Sequence, residues 1–93
     1  MASTLTANMP IQLFSVANTT GELIPLVFRW EDHSHAIHRI RISEVLSHRE
    51  AATCGIPHII YICRAREEND TSHIFELRYY ILSHKWTLFR MLS

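Results

Sequence analysis

Residues 21–32 read GELIPLVFRWED. Leu26, Phe28 and Trp30 fall on one side of an extended chain and Val27 and Arg29 on the other, the period-two pattern of a half-buried strand. Pro25 has no N–H to give to a ladder, so it belongs at a strand start, a bulge or an edge. The strand proper is therefore expected from Leu26, with Glu22 to Pro25 as lead-in or edge segment. Glu31-Asp32-His33-Ser34 then forms a polar turn, and His35 onward returns as a hairpin partner.

The same punctuation continues on both sides of this stretch. Upstream, Ile11 to Val16 alternates loosely and Asn18-Thr19-Thr20-Gly21 is a turn. Downstream, a strand is expected from His35 to Ile42, and the next ten residues allow two readings. Ile40 and Ile42 alternate with Arg39, Arg41 and Ser43, which continues the strand to His48 after a bend; Ile42, Val45, Leu46 and Arg49 sit at helical spacing, which gives a one- or two-turn helix over 43–52 behind a Ser43 cap. Thr53 to Pro57 is a breaker, and three runs follow as a meander: His58 to Arg66, Ser72 to Leu82 and Lys85 to Met91. Phe75, Leu77 and Tyr79 share one side, as do Trp86 and Leu88.

Several of these strands carry apolar side chains on both faces near their ends, which a small flat sheet cannot bury. The expected fold is thus mainly β: an antiparallel curled sheet or partly open barrel of about five or six strands, with the one short helix as its only variant. Residues 1–10 read as a flexible segment and residues 11–93 as a single domain, with an open face available for self-association as a homodimer.

Composition narrows the function classes. The chain has 93 residues, enough for one apolar core, and its nine basic residues balance nine acids. No net excess of positive charge is available for non-specific polyanion binding, yet eight of the nine bases are Arg, the residue of flat, bidentate contacts. The apolar runs are too short for a spanning helix, so no membrane partner is expected. The opening residues lack the features of a secretory signal, and Cys54 and Cys63 read as free thiols in a reducing cytoplasm.

The chain resembles a family of short uncharacterised bacterial proteins. The likeness is carried by a G-x-x-x-P-L-x-F-x-W-E-D block at Gly21, Pro25, Leu26, Phe28, Trp30, Glu31 and Asp32, a V-L-x-x-R-x-A-A block at Val45 to Ala52, Tyr61-x-Cys63-Arg64, and Trp86-x-Leu88. It departs from that pattern after Asp32, where His33-Ser34-His35 replaces a short glycine-bearing turn. The resemblance implies a small β-rich protein and no particular activity.

Candidate sites are three. His33 and His35 share a face if extended and have Asp32 beside them, a weak metal set, because a complete site needs three or four ligands. Cys54, His58 and Cys63 match no compact zinc spacing, and Cys63 in an apolar run reads as packing. Arg29, Arg39, Arg41, Arg64, Arg66, Arg78 and Arg90 all fall in expected strands, with Tyr61 and Tyr80 among them. The competing reading of these arginines is an ordinary solvated face paired with Glu31, Glu44 and Glu76. No pair of carboxylates converges, no catalytic residue stands out, and no cofactor is implied. The expectation is a non-catalytic binding module that meets a protein or nucleic-acid partner through Arg29, Arg41, Arg64, Arg78, Tyr61 and Tyr80. The rival reading is a small His-ligated metal protein or enzyme.

Overall fold

A computed structural model describes residues 8–93 as one antiparallel sheet of seven strands curled into a half-barrel. The strands are β1 (Met9–Pro10), β2 (Gln12–Ala17), β3 (Leu23–Glu31), β4 (Ile37–Thr53), β5 (Ile56–Arg66), β6 (Ser72–Tyr80) and β7 (Lys85–Met91). From β2 to β7 every strand pairs with the next in sequence; β1 then pairs with β7, giving the order β1-β7-β6-β5-β4-β3-β2. The strand beyond the expected five or six is β1. Met9 and Pro10 lie opposite Leu88 and Thr87, while Gln12 to Ala17 lie along β3, so one short segment meets both edges of the sheet. Of the segment 1–10 read as flexible, residues 1–7 lie outside the described residues, and Met9 and Pro10 form β1.

Local chemistry sets the connections. Between β4 and β5, Cys54 (φ 52°) and Gly55 (φ 78°) both adopt positive φ, the two-residue turn that matches strand twist. Before β3, Asn18 Oδ1 accepts from the backbone N–H of Thr20 at 3.0 Å and of Glu22 at 2.9 Å, and Gly21 takes φ 88°.

One open reading is decided in favour of the strand, and one expectation is corrected. Residues 43–52 form no helix: β4 runs unbroken from Ile37 to Thr53 along β5, and the bend is taken up by register shifts between Ile42 and Glu44 and between Val45 and Ser47. In β3, Phe28 is fully buried and Trp30 packs against the core, but Leu26 is 41% exposed and Pro25 is buried in its place. The cause is a bulge. Leu13 faces Phe28, yet Ser15 faces Pro25, so Leu26 is the extra residue and turns out. Pro25 also sits where β3 has lost β4, whose pairing with β3 stops at Val27↔Arg41, so its missing N–H breaks no ladder.

The interior is lined by Phe28, Ile40, Tyr61, Cys63, Ala65, Phe75, Leu77, Trp86 and Leu88. Replacing a fully buried ring there is expected to cost far more than replacing Leu26. Phe75→Ala should lower unfolding free energy by about 3–5 kcal/mol in urea titrations, and Leu26→Ser by under about 1 kcal/mol. Equal losses would contradict the assigned faces.

Candidate binding face

On the outer side of β3, β4 and β5 the ladder places like charges opposite one another. Arg29 pairs in register with Arg39, and Arg41 with Arg66. Directly opposed side chains on an antiparallel pair have Cβ atoms about 4.5–5.5 Å apart, and like charges at that separation are destabilising. All four arginines are exposed. Arg39, Arg41 and Arg66 line a hollow of about 310 Å³ with Glu67, Glu68 and Asp70 of the β5–β6 loop. A neighbouring hollow of about 380 Å³ is lined by Arg29, Arg39, Glu68 and two apolar side chains, Phe14 and Ile37, each 50% exposed. Among the described residues Arg66 alone of the four has a carboxylate within ion-pair distance, Asp70 at 3.9 Å.

The structure thus brings Arg29 and Arg41 together with Arg39 and Arg66. Arg64 lies on the same side but is bonded to Glu44 directly across from it. Arg78 and Tyr80 point outward from β6, beyond β5, and are already engaged. Arg78 bonds Glu76 at 3.1 Å and lies 3.5 Å over the Phe89 ring, and Arg90 bonds the other oxygen of Glu76 at 2.9 Å. Glu76 is 4% exposed, so two guanidinium groups neutralise a buried carboxylate. Tyr80 Oη donates to Asn8 Oδ1 at 3.4 Å. Tyr61 does not belong to this face: it points inward, is 3% exposed, and donates to the Leu23 carbonyl at 2.9 Å. Burial raises its phenol pKa above the ordinary value. The period-two rule, which alternates Tyr61 with Ile60 and Ile62, foreshadows this; Phe14 and Ile37 carry no signal in the sequence beyond exposed strand positions.

The histidines serve the β3–β4 turn. His35 Nδ1 lies 2.6 Å from Glu31, and His38, whose ring stacks on Trp30 with centroids 4.3 Å apart, bonds Asp32 at 2.7 Å. Asp32 also accepts from Ser34 N, Ser34 Oγ and Ala36 N at 2.8, 2.7 and 3.0 Å. The bond from His38, then those from Ser34, hold the Asp32 carboxyl well below the usual carboxylate range. His33 is exposed in the same turn, so His33 and His35 do not stand side by side on a strand as expected. Among the described residues no group of three or more His, Cys, Asp or Glu is placed to hold a metal ion. Both cysteines are free; Cys54 is exposed, and Cys63 is fully buried with its thiol pushed up to about 12 by desolvation. Among the described residues no helix is long and apolar enough to cross a membrane.

No family model, curated protein or solved structure matches the chain.

Two substitutions test the electrostatics described. Because its folded pKa is depressed, Asp32 contributes stability that is complete above its unfolded value of 3.8 and is lost as pH falls below it. Urea midpoints should therefore fall more steeply between pH 5 and pH 2 for the native chain than for Asp32→Asn, and identical profiles would refute the assignment. Glu76→Ala should cost roughly 3–5 kcal/mol, since it strands Arg78, which is mostly buried. Arg90→Ala should cost under about 1 kcal/mol, because Arg90 is largely in solvent. A reversed order would show that Glu76 is not the hub.

Proposed function

We propose that this protein is a non-catalytic binding module and that the outer face of β3–β5 is its contact surface, with an extended single-stranded nucleic acid as the partner that fits best. The carrying observation is the pair of like-charged rungs, Arg29 opposite Arg39 and Arg41 opposite Arg66. An arrangement that opposes folding is expected where a bound anion offsets the repulsion. Arg39 and Arg41 are two residues apart on one strand, a pitch of about 6.7 Å. The rungs therefore form a short stepped track of guanidinium groups that runs from β3 across β4 to β5, each group able to hold a phosphate bidentately. Phe14 and Ile37 beside Arg29 offer an apolar platform on which a base can rest. Glu67, Glu68 and Asp70 close one end of the track and bias it toward a short contact rather than a long one.

Fluorescence anisotropy with a labelled oligothymidylate tests this. Binding should weaken with salt, with a log–log slope of about −3 for four phosphate contacts. Arg39→Ala and Arg41→Ala should each lessen that slope by roughly 0.7, while Arg90→Ala, on the Glu76 network, leaves it unchanged. The same Arg41 substitution should raise folding stability by up to about 1 kcal/mol by relieving its rung. Absence of oligonucleotide binding at low salt would sink the nucleic-acid reading, and retention of a polyglutamate peptide instead would reassign the surface to an acidic protein segment.

A further inference from the structure

The half-barrel has an opening on its inner side, and its origin lies in strand lengths. Pairing of β3 with β4 ends at Val27↔Arg41, but β4 continues to Thr53 with only β5 beside it. From Ser43 onward one edge of β4 therefore faces the first residues of β3 across a gap. Such a gap usually invites a further strand. Here both edges are blunted: Pro25 has no N–H, the Leu23 carbonyl is taken by Tyr61 Oη, and β4 bulges twice in this region. The opening remains a cleft lined by side chains.

Its volume is about 510 Å³, and a continuation of about 280 Å³ shares Glu22, Leu23, His48 and Tyr61 with it. That is the size range of small-ligand sites, which favour the mouths of barrels. Its chemistry is one-sided. Glu22 and Glu50 are the carboxylates lining it, His48 is its one basic side chain, and none of the chain's eight arginines lines it. Glu50 has no ion-pair partner among the described residues, whereas Glu22 receives Asn18 Nδ2 at 3.0 Å and has His48 at 3.8 Å. The two tyrosine hydroxyls are already committed, Tyr61 to Leu23 and Tyr79 to His84 Nδ1 at 2.9 Å. Tyr61 is buried, stacks on His48 with centroids 5.8 Å apart and packs on Trp86 at 5.2 Å, so the ring surface left for a ligand is that of the half-buried Tyr79. Carboxylates at the rim and π faces inside are the two groups that recognise a cation on an apolar body.

We propose that the cleft between the start of β3 and the second half of β4 binds a small organic cation, an amine or quaternary ammonium carried on an apolar or aromatic group. The cationic head sits between Glu22 and Glu50, and the body rests against Tyr79 and Leu23. This site is on the opposite side of the sheet from the arginine rungs and does not depend on them.

Titration of the ¹⁵N-labelled full chain with benzyltrimethylammonium tests the assignment. Saturable amide shifts are expected at Gly21, Leu23, His48 and Tyr61, with none at Arg39 or Arg66. Glu22→Gln/Glu50→Gln should weaken binding by about tenfold and Tyr79→Leu by about fivefold. Both glutamates are exposed, and Gln keeps the oxygen that receives Asn18, so unchanged spectra outside the cleft will certify the fold of the double variant. Benzoate, similar in size and opposite in charge, should produce no shifts. Absence of saturable shifts, equal shifts with benzoate, or undiminished binding by the double variant would each overturn the proposal.

Discussion

Phe28 meets Phe75 edge-on with ring centroids 5.5 Å apart, and this contact dictates the shape of the sheet. The two rings stand on β3 and β6, with β4 and β5 between them. Neighbouring strands are about 4.8 Å apart, so in a flat sheet the two rings would be separated by roughly 14 Å. They can touch only if the intervening strands curl. Curling turns the inward residues of six strands into one interior, where Tyr61, Tyr79 and Trp86 pack at centroid distances of 5.2 and 4.9 Å. It also leaves the other side convex, with no covering layer over β3 to β5 among the described residues and with the arginines of those strands upon it.

The strands were legible in the sequence, and the bulges explain what was not. In β4 the inward residues are Ile42, Val45 and His48, opposite Ala65, Cys63 and Tyr61. Each bulge adds one residue, so a period of two becomes a period of three, which is the spacing that suggested a helix. The same arithmetic separates Phe28 from Pro25 in β3, and Leu88 from Met91 in β7, where Phe89 is the extra residue. A pattern of three along a single chain does not reveal whether the extra residue is a bulge or part of a helical turn. The partner strand decides, because β5 offers a continuous row of backbone groups that a helix over 43–52 would leave unpaired.

The candidate face shows the same limit one level higher. That the arginines lie on strands follows from alternation, and so does Tyr61 pointing away from them. That Arg41 stands opposite Arg66 depends on the β4–β5 register, which the Cys54-Gly55 turn and the two bulges of β4 set. That Arg29 stands opposite Arg39 depends on the β3–β4 register, which Asp32 sets by closing a tight turn through Ser34, Ala36 and His38. Those contacts also account for the histidines. Residues that read as metal donors at strand spacing are spent on the turn, where positive φ at His35 breaks the alternation on which the reading relied.

Charge neutrality of the whole chain conceals a division between two kinds of arginine. Arg64, Arg78 and Arg90 are satisfied by Glu44 and Glu76, and Arg66 has Asp70 at longer range, whereas Arg29, Arg39, Arg41 and, further along β4, Arg49 have no carboxylate within ion-pair distance among the described residues. A balanced total gives little long-range field, so the proposed function does not rely on drawing a partner in from a distance. For the proposed anionic partner, attraction begins only within about a Debye length, where the four rung arginines, Arg66 included, exceed the three loop acids Glu67, Glu68 and Asp70 by one charge. Under the proposed function, recognition would rest on the fixed geometry of the rungs, which paired strands hold in place at the expense of some folding stability.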